Sequence, residues 1–196
     1  TDELLGPILR DVSRAFYLTL RVLPTSVRSQ IALAYLLARI SDTIADTQLV
    51  PTEKRIQKLQ QFRARIRDEG APPVDFTHLA REQDNEVERV LLQHSSEAIA
   101  LLDKIVGADR GQIQLVLETI TRGQELDLAR FGDGHELKAL KTADDLDDYT
   151  YRVAGCVGEF WTHLTRAHCF ADAEIDEQHF VQNSIRFGKG LQLVNV

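Results

Sequence analysis

"YLLARISDTIAD", residues 35–46, sets two carboxylates inside an apolar run, with no basic residue between them. An α-helix turns once in about 3.6 residues, so positions four apart share a face. Asp42 and Asp46 therefore point the same way, and stepping back by three and then four residues reaches Arg39 and Tyr35 on the same stripe. The flanking faces carry Ile31, Leu33, Ala34, Leu36, Leu37, Ile40 and Ile44. A helix apolar on nearly all sides belongs in a core. Burying charge there costs several kcal/mol per ion, so the polar line predicts a cavity beside it. Two carboxylates on one face repel each other and attract a cation. Mg2+ is held through few protein carboxylates and bridges to substrate phosphates, so one reading is a metal–diphosphate site with Asp42 and Asp46 as ligands. The other is a pair of solvated acids at a helix end, which the helix dipole makes mildly unfavourable. The D-x-x-x-D spacing alone leaves both open.

Outward from this segment the periodicity stays helical almost throughout. The spacing predicts helices over about 3–22, 25–47, 51–70, 76–82, 84–106, 109–131, 142–169 and 174–196. Thr25 or Ser26 is the expected cap of the second helix, and Thr142 that of the seventh, with Asp145 at the capping-box position. No strand, hairpin or repeat is legible. The expectation is an all-α, single-domain bundle of about eight helices over residues 1–196.

Composition narrows the classes. The net charge of −7 and pI of about 5.4 argue against non-specific nucleic-acid binding, which needs a basic face. Cys156 and Cys169 are too few for a disulfide framework; with no signal peptide visible, they read as reduced, buried thiols of a cytoplasmic protein. The uncharged apolar runs fall short of the ~18 residues a membrane span needs. The chain holds no Met and opens at Thr1, so the native N-terminus is expected upstream.

Other polar clusters compete for attention. "DDLDDY", residues 144–149, follows the Thr142 cap, where the dipole favours acids; it reads as a solvated helix start. "YTYRVAGCVG", residues 149–158, places Gly155 and Gly158 in a helix interior, where each Gly costs roughly 1 kcal/mol against Ala. They mark either tight helix packing or room for a ligand chain. "GKGLQLVNV", residues 188–196, sets Gln192 and Asn195 three apart in an apolar helix, where an amide either bonds a neighbour or faces a polar site. "RARIR", residues 63–67, reads as solvated surface. The six His residues show no metal-ligand spacing, and no Gly-rich phosphate loop follows a strand.

Taken in order, four segments make the chain resemble the squalene/phytoene synthase family of head-to-head isoprenyl diphosphate synthases. "SRAF", from Ser13 to Phe16, is similar to the family's N-terminal diphosphate-side segment. "YLLARISDTIAD" is similar to its first aspartate-rich motif, "YTYRVAGCVGEFW" to its Y-x-x-x-V-A-G-x-V-G signature, and "GKGLQLVNV" to the Q-x-x-N segment that leads into its second aspartate-rich motif. The resemblance implies a helical fold of the isoprenoid synthase type, with the C-terminal helices missing and the second motif expected directly after Val196. It implies condensation of two farnesyl diphosphates to presqualene diphosphate, then to squalene with NADPH or to dehydrosqualene without it.

Under that resemblance Mg2+ is the cofactor, with Asp42 and Asp46 as ligands. Ser13, Arg14, Arg39, Gln192 and Asn195 bind substrate diphosphate. Tyr149, Tyr35 and Arg39 act in catalysis, with Tyr149 nearest the proton loss that accompanies cyclopropyl formation. Phe16, Val153, Ala154, Gly155, Val157 and Gly158 line the substrate-chain pocket. A hydrocarbon product implies peripheral contact with a membrane, at the inner membrane of a cytoplasmic enzyme. The competing expectations are a phytoene synthase acting on geranylgeranyl diphosphate and a non-catalytic homologue that serves as an assembly or partner-binding protein.

Overall fold

The computed structural model describes residues 4–13, 15–132 and 138–195, and no strand occurs among them. The helices are α1 (Leu9–Ser13), α2 (Ala15–Val22), α3 (Thr25–Asp46), α4 (Thr52–Arg67), α5 (Thr77–Glu82), α6 (Glu86–Gln93), α7 (Ser95–Leu102), α8 (Gly107–Phe131), α9 (Ala143–Thr150), α10 (Cys156–Cys169) and α11 (Glu177–Asn195). Two π-helical turns, Leu4–Ile8 and Tyr151–Gly155, precede α1 and join α9 to α10.

The expected all-α bundle is found, with α3 at its centre. Leu36, Leu37, Ile40 and Ile44 are fully buried, and α3 packs against α2, α4, α6, α7, α8 and α10. Gln30 meets Asp109 near the start of α8, and Asp42 meets Gln124 farther along it. The two long helices therefore run parallel, side by side. This register decides what the Asp42 face sees.

Several expected helices divide. The segment over 3–22 opens as a π-helical turn containing Pro7, which lacks the N–H that a regular helix ladder uses. The segment over 84–106 breaks at His94 into α6 and α7. The periodicity hid the break because Leu91, Leu92, Ala98, Ile99 and Leu102 all stay buried across it. Ser95 turns its hydroxyl back onto the Leu92 carbonyl (2.7 Å), one of the local bonds by which Ser competes with a continuous helix. Helix α3 starts after Pro24 with no side-chain cap from Thr25 or Ser26, whereas α9 carries the expected Thr142–Asp145 capping box.

Two surface expectations also change. "RARIR" is not a solvated face: Arg63 forks onto Glu125 of α8, and Arg65 pairs with Asp103 just past α7, tying α4 to its neighbours. Cys156 and Cys169 are free, but only Cys156 is buried.

The glycines of "VAGCVG" serve packing rather than a ligand. A Cβ on Gly158 would lie 2.2 Å from the Ser184 carbonyl oxygen, and one on Gly188 would lie 2.4 Å from that of Ala154. The α11 backbone thus rests directly on the π-helical turn and α10. Gly158→Ala is expected to lower stability in urea unfolding by about 1–3 kcal/mol, the usual scale of overpacking. Gly190→Ala, with nothing within 4 Å of the new methyl, should be neutral or stabilising.

Candidate functional site

A cavity of about 500 Å3 lies against the polar line of α3, within the ~300–1,000 Å3 of small-molecule sites. From α3 it takes Ile31, Ala34, Tyr35, Ala38 and Asp42, and from α8 Val116, Ile120, Gln124 and Asp127. Tyr149, Arg152, Val153, Val157, Phe160 and Trp161 close it from α9 through α10, and Phe16 of α2 completes the wall. The α8 residues are spaced four, four and three, so they form one stripe. Because α3 and α8 run parallel and both stripes pass from apolar to polar along the chain, the cavity has an apolar end and a polar end.

The polar end is built around Asp42. Arg39 donates from Nη1 to Asp42 Oδ2 (3.0 Å) and from Nη2 to Glu88 Oε1 of α6 (3.1 Å). Gln124 donates from Nε2 to Asp42 Oδ1 (2.7 Å). The carboxylate is crowded by protein on most sides and open toward the cavity. That desolvation lifts its carboxyl above the ordinary range against the pull of Arg39, and Asp46 lifts it further. Burial raises Asp127 as well, with Arg130 opposing. Tyr35 titrates above the ordinary phenol, because burial and Asp42 outweigh Arg39; its hydroxyl keeps its proton at neutral pH. On the cavity wall Phe16 stacks on Tyr35 (ring centroids 4.3 Å apart) and meets Trp161 edge-on (6.5 Å).

The expected site residues divide into those the fold brings together and those it does not. Tyr35, Asp42, Tyr149, Phe16, Val153 and Val157 share the cavity. Arg39 reaches it through Asp42. Gln192 lies over Tyr149, its Nε2 3.4 Å from the phenolic oxygen. Asp46, in the last turn of α3, is exposed. Ala154, Gly155 and Gly158 are off the wall, since their helix face is covered by α11. Ser13 is buried at the end of α1, away from the cavity wall. Asn195 is exposed at the end of α11, and Arg14 lies outside the described residues. Three of the "DDLDD" acids have partners, Asp145 in Thr142, Asp147 in Lys189 and Asp148 in the cavity-lining Arg152, and none of the four lines the cavity.

Gln124 and Asp127 are site residues the sequence reading missed. Their only signal was their continuation of the Val116–Ile120 stripe.

Mg2+ fits this donor set by its chemistry. Asp42 and Asp46 lie one turn apart, and the Gln124 carbonyl oxygen is buried beside Asp42 with no donor among the described residues. No three His, Cys, Asp or Glu side chains among the described residues converge to hold an ion unaided; Mg2+ is commonly held through only one or two protein carboxylates plus substrate phosphates.

The family model described as squalene/phytoene synthase matches residues 9–196. Squalene synthase 1 of Arabidopsis thaliana is 28% identical over 189 residues, covering 96% of this chain and 42% of the relative. A second Arabidopsis thaliana relative, named inactive squalene synthase 2, is also 28% identical and is covered over 41% of its length. A solved structure described as the complex of TcSQS with the ligand E5700 superposes with a TM-score of 0.75 at 24% identity, over 100% of this chain and 53% of that one. The chain therefore spans less than half the length of these curated relatives, and the structural likeness speaks to the fold alone.

Proposed function

Because this chain belongs to the squalene/phytoene synthase family, we propose that it carries the first-ionisation half of a site that condenses two farnesyl diphosphates head to head, to presqualene diphosphate and then to squalene or dehydrosqualene. The observation that carries this reading is the two-ended cavity. An apolar chain fits against Ile31, Val116, Ile120, Val157 and Phe160, while its diphosphate meets Tyr35, Arg39, Asp42, Tyr149 and Arg152.

Asp42 and Asp46 are the residues to hold a divalent ion, which when bound supplies charge neutralisation for the leaving diphosphate. The remaining work falls to the chain itself. Arg39 and Arg152 present guanidinium N–H groups at the polar end, suited to phosphate oxygens. Tyr35 keeps a proton to donate to an anion, and Tyr149, which accepts from Gln192 Nε2, is assigned to assist the proton loss that the released diphosphate takes up. The apolar walls exclude water from the allylic cation, and the faces of Phe16, Tyr35 and Trp161 offer it π-electron density. NADPH belongs to this reading only where the product is squalene.

The test is incubation of the full-length protein with farnesyl diphosphate and Mg2+, with and without NADPH, followed by hydrocarbon analysis. Presqualene diphosphate, squalene or dehydrosqualene supports the reading. Turnover of geranylgeranyl diphosphate instead would move it to phytoene synthesis. A second reading, a non-catalytic homologue, is favoured by one observation: the relative named inactive squalene synthase 2 and the one named squalene synthase 1 are each 28% identical to this chain. Absence of any product with either substrate would select it. Among the described residues no helix is long and apolar enough to cross a membrane; whether the protein meets a membrane surface is a matter for vesicle sedimentation.

A further inference from the structure

Asp42 is gripped from two helices, and the grip from α8 is unlike the grip from α3. Arg39 lies one turn before Asp42 on the same helix and brings charge. Gln124 reaches across from α8 and brings a neutral amide. Its Nε2 holds Asp42 Oδ1 at 2.7 Å, while its Oε1 is buried with no hydrogen-bond donor among the described residues. A buried amide oxygen left without a donor carries an uncompensated desolvation cost. The fold tolerates that cost next to a carboxylate at the polar end of the cavity.

We propose that Gln124 is the positioning residue of the Asp42 site: its N–H fixes the rotamer of Asp42 toward the cavity, and its carbonyl oxygen accepts a hydrogen from water drawn in when a divalent cation and a diphosphate occupy the polar end. This inference rests on the cation–diphosphate reading above. It adds a residue outside both aspartate-rich motifs and on a different helix. A neutral amide suits the task. A carboxylate at position 124 would repel Asp42 and Asp127, and an apolar side chain would free Asp42 to turn wholly onto Arg39. Partners that orient a metal-binding carboxylate typically carry ~10–100-fold in metal affinity.

The test uses the full chain and the probe pair Mn2+ with inorganic diphosphate, read by calorimetry and by the electron paramagnetic resonance of free Mn2+. Gln124→Met keeps the length and shape of the side chain and removes the amide. The expected result is a ~10–100-fold weaker Mn2+ affinity with a melting temperature within a few degrees of wild type. Gln124→Asn and Gln124→Leu should lose similar affinity, since neither can both reach and donate to Asp42. The single tryptophan, Trp161, lines the same cavity, and its fluorescence gives an independent occupancy signal.

Affinity within threefold of wild type in Gln124→Met overturns the inference. So does an affinity that merely tracks the melting temperature across the three variants, because that pattern belongs to a packing role. Wild-type protein that binds no Mn2+ even with diphosphate present would instead bring down the cation reading itself, and this inference with it.

Discussion

Asp42→Asn is expected to lower turnover of the prenyl diphosphate by about a thousandfold while raising the thermal midpoint at pH 7. The two effects share one cause. A carboxylate that assists ionisation of a diphosphate through a metal contributes several kcal/mol to the barrier, and each ~1.4 kcal/mol is tenfold in rate. The same carboxylate is a load on the folded protein. Desolvation and Asp46 lift its carboxyl above the unfolded value in spite of Arg39. A group whose folded pKa is raised contributes stability that is fully present below its unfolded pKa and is lost as pH rises through the folded one. Wild type therefore loses stability between acid and neutral pH at this position, and the neutral Asn does not. The difference in melting temperature between the two proteins should be small at pH 3–4 and should open as pH rises above the ordinary carboxylate range. A scan of both proteins across that window, beside a product assay, checks both halves. A destabilised Asp42→Asn at pH 7 would mean that the bonds from Arg39 and Gln124 outweigh desolvation, and that the site was not built at a cost to the fold.

That load was visible in the sequence. Asp42 and Asp46 within an apolar helix announced a cavity because one helix's own periodicity carries the information. The opposite wall did not announce itself. Gln124 and Asp127 sit in "RGQELDLARF", whose local spacing marks no site until α8 is known to lie parallel to α3 with residue 124 level with residue 42. Gly155 and Gly158 failed for a related reason. A glycine in a helix signals close approach, but whether a backbone or a ligand approaches is a tertiary fact, and here Ser184 of α11 arrives first. Arg63 and Arg65 looked solvated because their acidic partners, Glu125 and Asp103, are 62 and 38 residues away in sequence. Local spacing gave the elements and one face of the site; the pairing of faces had to come from the fold.

Arg39→Leu is expected to damage both stability and diphosphate binding, and Arg39→Lys separates the two. Arg39 bridges α3 to α6 with one N–H on Asp42 and one on Glu88, all three side chains only partly exposed. Its loss leaves two acids facing each other across the helix packing with no cation between them. Removing one partner of a fully buried pair costs ~3–5 kcal/mol. With about a quarter of the Arg39 and Glu88 side chains exposed, roughly 2 kcal/mol is the expected loss in urea unfolding. Lysine restores one charge to the gap and should recover most of that stability. It cannot restore the planar fork that serves Asp42, Glu88 and a phosphate oxygen together. Affinity for inorganic diphosphate in the presence of Mn2+ should therefore stay at least tenfold below wild type in Arg39→Lys, although its unfolding midpoint returns close to wild type. Full recovery of both properties in Arg39→Lys would show that position 39 supplies charge alone, and the diphosphate would then have to find its directional contacts at Arg152 and the two tyrosines.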